Sequence, residues 1–460
     1  MPNPIREKER AAILSSLGAG VVPAIGLQYI QVGRKAEVNA LLSDLQRVEA
    51  GGASVRFVVG RFGSGKSFFL NLIQTVALER KFVVARADIT TNRRLSGTGG
   101  VARSLYSELA KNFTTRSKPE GGALGSIVER WVADVAHEII SAGGTHADVQ
   151  KRIVGLLRPL QDLVSGYDFA AVLNAYYRGF SEHKQELQIA AVRWLRGEYS
   201  TKTEARSDLG VRSIIDDDSF YDYLKLMAAF VKMIGYKGLL VCLDELVVLS
   251  HRLNNKAARD RNYEAILRIL NDCLQGSVDG LAVVFAATDD CLTDKRRGLF
   301  SYEALATRLA SNRFAGGDHV DLSGPVVQLA NLTPEDCFVL LRNIRCVFCR
   351  GQNEDALLPE SAIVAYLESC QRRMGAAYFQ TPRETIKDFV GLLNVIEQNP
   401  TANWQQLIAN IKTNAATDVE SVIKDDDNPE KAPRTTERGR GTQTKPPGAV
   451  GNNDLVSFQL

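Results

Sequence analysis

Ser54-Val55-Arg56-Phe57-Val58-Val59-Gly60-Arg61-Phe62-Gly63-Ser64-Gly65-Lys66-Ser67 is the stretch on which the reading of the fold turns. Its first half is a short run rich in Val and Phe, the composition of a buried strand. Its second half fits GxxxxGK[ST] at every required position. Phe69, Leu70, Leu72, Ile73 and Val76 follow at helical spacing. Strand, Gly-rich loop and helix in that order make an anion cradle. Glycines let the backbone turn tightly and bring N–H groups close to phosphate oxygens, and the helix points its positive end at the same anion. Lys66 has the reach for the β- and γ-phosphates, and the Ser67 hydroxyl suits Mg²⁺. The expectation is a nucleoside triphosphate site, for ATP with Mg²⁺, built from Gly60, Arg61, Phe62, Gly63, Ser64, Gly65, Lys66 and Ser67.

Working outward, residues 81–88 (KFVVARAD) read as a second strand, which completes a βαβ unit of a parallel sheet. Residues 238–244 (GLLVCLD) are a third strand, residues 281–288 (LAVVFAAT) a fourth and residues 326–329 a short fifth. The third ends in Asp244-Glu245, the Walker B pattern of an apolar strand closed by two carboxylates. Asp244 is expected to share the metal with Ser67, and Glu245 to orient and polarise an attacking water. Thr288 ends the fourth strand, where a hydroxyl can either position that water or simply cap the turn that follows. Arg308 and Arg313 are candidates for an arginine finger acting on a neighbouring subunit, with a solvated helix face as the plain alternative. Thr381-Pro382-Arg383-Glu384 has the signature of a helix start, which sets Arg383 on the first turn.

The 460 residues amount to about two to four domain equivalents. Residues 1–30 read as an N-terminal segment with a short helix. Residues 31–92 and 236–330 form the α/β nucleotide-binding core. Residues 93–235 are helical in pattern and too long for one connection between strands, so they read as a helical insertion. Residues 331–415 are a helical lid, and residues 416–460, crowded with Pro, Gly and charge, are expected to be a disordered tail. The composition is 45% hydrophobic and 24% charged with a net charge of +3, ordinary for a soluble globular protein and giving no bulk argument for nucleic acid. No run of about 20 apolar residues suggests a membrane span, and a cytoplasmic location is expected. Seven scattered cysteines give no disulfide framework, Cys346 and Cys349 read as helix packing, and the five histidines do not cluster at metal spacing.

The order of these parts resembles an AAA+ ATPase near the origin-recognition branch. In that likeness Val32-Gly33-Arg34 with Glu37 is similar to the motif that approaches the adenine, Thr288 to sensor 1, Arg308 or Arg313 to the finger, and Arg383 to sensor 2 in the lid. More narrowly, Val59 to Ser67, residues 302–314 and Thr381-Pro382-Arg383-Glu384 resemble the ATP-binding proteins of bacteriophage-exclusion (BREX) systems. The resemblance spans about residues 20–415. It implies an ATPase in a multi-gene antiphage or DNA-processing system, forming homo-oligomers and working with other defence proteins. Two functions follow as expectations: coupling of hydrolysis to remodelling of a protein–DNA assembly, or a nucleotide-gated scaffold that docks partners with little turnover. A P-loop kinase is disfavoured by Asp244-Glu245. DNA contact is suggested by Arg93-Arg94 and Lys295-Arg296-Arg297, clusters that also read as charged loops kept in water. The insertion is longer than usual for AAA+ proteins, and no winged helix follows the lid.

Overall fold

Runs of Val, Leu and Ala that are apolar at every position must be covered on both faces, and the chain provides a helical layer for each. The computed structural model describes residues 5–314, 321–374 and 382–410. After α1 (Glu7–Gly18) and α2 (Lys35–Glu49) come β1 (Ser54–Val59), α3 (Lys66–Glu79) and β2 (Val83–Asp88). The helices α4 (Val101–Lys111), α5 (Ala123–Ser141), α6 (His146–Gln161) and α7 (Gly166–Ser181) follow. Next are α8 (Gln185–Leu195), α9 (Lys202–Leu209) and α10 (Phe220–Met233), the first two not singled out by the sequence reading. The core resumes with β3 (Leu239–Asp244), α11 (Lys256–Leu274), β4 (Leu281–Ala287), α12 (Asp289–Thr293), α13 (Glu303–Leu309) and β5 (Val326–Gln328). Last are α14 (Pro334–Phe348), α15 (Glu354–Leu357), α16 (Glu360–Met374), α17 (Pro382–Gln398) and α18 (Trp404–Ala409).

The strands form one parallel sheet in the order β2-β3-β4-β1-β5, and all five expected strands are present. Register sets Asp88 beside Asp244 and Val59 beside Ala287. Side chains alternate between two cores, as the two-residue period requires. Leu240, Cys242, Ala282 and Val284 pack with Leu41, Leu45, Phe69 and Ile73 of α2 and α3. Leu239, Val241, Leu243, Val283 and Phe285 face the other way, in one continuous core with Leu105, Leu109, Leu224, Met227 and Ile266 of α4, α10 and α11. The stretch between β2 and β3 therefore supplies α4 and α10 to this cover of the sheet, and α11, which follows β3, completes it. Its edge is closed at β2, where Thr114 and Val84 exchange backbone hydrogen bonds of 2.8 and 3.1 Å. Asp217 caps α4, accepting from the N–H groups of Gly100, Ala102 and Arg103 at 2.7, 2.8 and 2.9 Å.

A third core gathers Leu341, Ile344, Tyr366, Phe389 and Leu393 of the C-terminal helices, and Ile13 and Leu17 of α1 belong to it. Arg10 ties α1 to the end of α14 by donating to the Phe348 carbonyl at 3.1 and 2.9 Å. Pro382 opens α17 as expected, whereas the readings made for Thr381 and for residues 411–460 lie outside the described residues.

One buried ion pair fastens the β5 side of the sheet. Arg56 of β1 donates to both Asp44 oxygens, at 2.5 and 3.0 Å, and to the carbonyls of Leu322 (2.9 Å) and Gly324 just before β5. Asp44→Ala leaves that guanidinium charged and without its carboxylate in the interior. The expected cost is about 3–5 kcal/mol, read as a lower urea midpoint. A midpoint equal to that of the parent protein would show that the pair is not a fastening.

Candidate functional site

The loop Gly60 to Ser67 sits at the carboxyl edge of the sheet, between the end of β1 and the first turn of α3. Its backbone is dictated locally. Gly65, at φ +89°, is the left-handed residue from which α3 starts, and a Cβ on Gly60 would lie 2.6 Å from the Ser64 hydroxyl oxygen. Gly60 N–H also donates to the Ala287 carbonyl at 3.2 Å, which sews the loop to the end of β4. The Ser64 hydroxyl is buried with no hydrogen-bond partner among the described residues. Lys66 donates to the carbonyls of Gly60 and Arg61 at 2.9 and 2.8 Å. Burial lowers its pKa, against the pull of Asp244, Glu245 and Asp289.

Ser67 and Asp244 meet although 177 residues separate them. The hydroxyl donates to the carboxylate at 2.9 Å. The same carboxylate accepts from Arg86 at 3.2 Å and from the Glu245 N–H at 2.9 Å. Arg86 is held in turn by the Asn71 side chain of α3. A hydroxyl and a carboxylate side by side are hard oxygen donors of the kind that would suit Mg²⁺. Among the described residues no group of three or more His, Cys, Asp and Glu is placed to hold a metal ion.

Glu245 lies at the exit of β3 with φ 59°, a left-handed conformation uncommon outside glycine. Its pKa is raised, first by burial and then by the like charges of Asp244 and Asp88; Lys66 and Arg252 oppose this. The two adjacent carboxylates thus have different surroundings: Asp244 is saturated with donors, and Glu245 has its proton affinity increased.

Thr288 follows β4, the strand that runs between β1 and β3. Its hydroxyl accepts from the Cys291 N–H at 3.2 Å, the capping role weighed from the sequence. Arg383, on the first turn of α17, has its guanidinium carbon 5.6 Å from the centre of the Phe62 ring, so this helix and the loop meet. Arg308 and Arg313 are not brought to this cluster within the chain. Arg308 is spent on Asn271 at 2.7 Å and on the Ala304 carbonyl at 3.0 Å, and Arg313 is exposed.

Two participants escaped the sequence reading, and a third was read for a different contact. Arg86 and Asp88 lie in the second strand; for Arg86 the signal available was a charge at an interior position of an apolar run, and Asp88 closes that run. Arg34 was read as part of an adenine-side motif. Here it donates to the Ser64 carbonyl at 3.2 Å from a half-buried position whose partial desolvation lowers its pKa, with Glu37 3.5 Å away. Of the basic clusters, Arg93 is paired with Glu108 at 2.9 Å and Arg94 donates to the backbone carbonyls of Ser96 and Thr91.

The family described as BREX system ATP-binding protein BrxC/D matches residues 5–412, and the chain belongs to that family. Comparison with curated proteins gives no match. Membership makes this an ATP-binding protein of phage defence. Among the described residues no helix is long and apolar enough to cross a membrane.

Lys66 is the charged donor of the loop. Lys66→Ala is expected to weaken ATP binding about 10- to 100-fold, measured by titration calorimetry on protein with an unchanged circular dichroism spectrum. Affinity within twofold of the parent would remove Lys66 from the site.

Proposed function

We propose that the protein is an Mg²⁺-dependent ATPase of the AAA+ type that couples hydrolysis to remodelling of an assembly within its defence system. The observation that carries this reading is the pairing of Ser67 with Asp244 beside a Glu245 of raised proton affinity. A binding site alone needs the first pair. A carboxylate at the same strand end with increased basicity is what hydrolysis adds.

Each residue then has a task. The N–H groups of the loop and Lys66 hold the β- and γ-phosphates. Ser67 and Asp244 hold the Mg²⁺, whose contribution is to neutralise charge on the phosphates. Arg86 donates to the Asp244 oxygen that also accepts from Ser67, which supports a role in keeping that carboxylate aimed at the metal position. Glu245 accepts a proton from the attacking water. Thr288, at the end of the strand between the loop and the carboxylates, is suited to orient that water. Arg383 is suited to sense the γ-phosphate from the C-terminal helices, residues 331–415 acting as a lid. Arg308 and Arg313 complete no site in their own chain, which fits a finger offered to a neighbouring copy in a homo-oligomer. Other proteins of the system are the expected partners, and DNA within such an assembly is the expected setting.

Glu245→Gln tests the catalytic assignment. It should lower turnover about 10²- to 10⁴-fold while ATP still binds. In the parent protein the base works only when deprotonated. Because its pKa is raised, turnover should decline on the acid side at a pH above the ordinary glutamate value of 4.5. A pH–rate profile reads that limb directly. Parent-like phosphate release by the Gln variant would leave the chain as a nucleotide-gated scaffold.

A further inference from the structure

Phe62 is the third residue of the phosphate loop, and its side chain is 69% exposed. A ring at this position fills no core, and loop closure on phosphates uses backbone there. Its described neighbour of consequence is Arg383, whose guanidinium carbon lies 5.6 Å from the ring centre. That is within the range of a cation–π contact. Among the described residues Arg383 has no ion pair and no hydrogen-bond acceptor, so its N–H donors are unspent. Arg383 is steered from its stem as well. Gly20 holds a left-handed turn at φ +71°, and a Cβ there would meet Arg383 Cγ at 3.7 Å, so that stem runs beside the N-terminal segment.

A guanidinium over a ring face keeps all its donors in its own plane, pointing away from the ring and free for bidentate bonding to an anion. We infer that Phe62 is a positioning residue for Arg383: the exposed ring holds the lid arginine at the mouth of the phosphate loop, so that affinity for a triphosphate over a diphosphate depends on a phenyl group in the loop. The inference rests on the reading of Arg383 as the γ-phosphate sensor, and goes beyond it in naming what orders that side chain before the phosphate arrives. A leucine at 62 is apolar but offers no π face. A tryptophan offers a better one.

The test is titration calorimetry of the full chain with ADP and with the non-hydrolysable analogue AMP-PNP, both with Mg²⁺, taking the ratio of the two affinities. Phe62→Leu is expected to lower the preference for AMP-PNP about three- to tenfold. Phe62→Trp is expected to keep it. Arg383→Gln should lower it at least as far, and Phe62→Leu should then add nothing in the double variant. Damage to the loop alone weakens both nucleotides together and leaves the ratio at its parent value; that result for Phe62→Leu, or full additivity in the double variant, overturns the inference. If Arg383→Gln itself leaves the ratio unchanged, the sensor reading of Arg383 fails and the inference falls with it. If Arg383→Gln lowers the ratio and Phe62→Leu does not, only the role of Phe62 is lost.

Discussion

Strands buried on both faces need two helical layers, and that constraint organises this chain. On β3, Leu239, Val241 and Leu243 demand cover on one side while Leu240 and Cys242 demand it on the other. The second demand is met cheaply by α2 and α3, which flank β1 in sequence. The first is met by α4, α10 and α11, and α4 and α10 belong to the long stretch between β2 and β3. That stretch is thus not an ornament on a finished domain, because its first and last helices pack directly on the sheet. Once both layers are in place, the strand ends are the openings left at the carboxyl edge. The loop, Asp88, Asp244 and Thr288 all collect there.

The sheet and the loop were legible because their signals are local. A Val-rich run followed by GxxxxGKS, and an apolar run ended by Asp-Glu, each carry their meaning within about ten residues. The parts that were not legible depend on partners far away in the chain. Arg86 looks like a misplaced charge until Asp244 and Asn71 are seen around it, 158 and 15 residues away. Arg34 reaches the loop across 30 residues. The first helix gives no hint that Ile13 and Leu17 join the C-terminal core, since that contact closes a loop of more than three hundred residues. The short α8 and α9 were passed over for a different reason: pieces of 11 and 8 residues offer little periodicity to detect. For Thr288 both functional readings started level. The capping bond is now visible: the hydroxyl accepts from the Cys291 N–H.

Two neighbouring carboxylates can share a site without competing only if their environments differ. Here the difference is built by backbone geometry. Asp244 ends the strand with its side chain toward α3, where Ser67, Arg86 and the next N–H converge on it. Glu245 then turns through a positive φ, which takes its side chain out of the strand's alternation and into the company of Asp88. A glycine would make that turn with less strain, but it would carry no carboxylate. The strained conformation is the kind of local cost that persists where a particular side chain is needed at a particular place.

The first turn of α3 joins these features to the rest of the molecule. Three successive residues point three ways: Ser67 to Asp244, Phe68 into the core of the C-terminal helices, and Phe69 into the core beneath the sheet. A helix turn rotates all three together. Any displacement of that turn on filling the loop therefore changes the metal-side contact, the packing of Phe68 against the C-terminal core, and the sheet packing at once. Interiors this densely packed do not absorb such a rotation gradually. The C-terminal helices, which also carry Arg383 and hold α1, are thereby coupled to the phosphate loop through apolar contact on one side and a cation over a ring on the other. A loop linked on both flanks to one helical body can report its occupancy to that body without any further hinge.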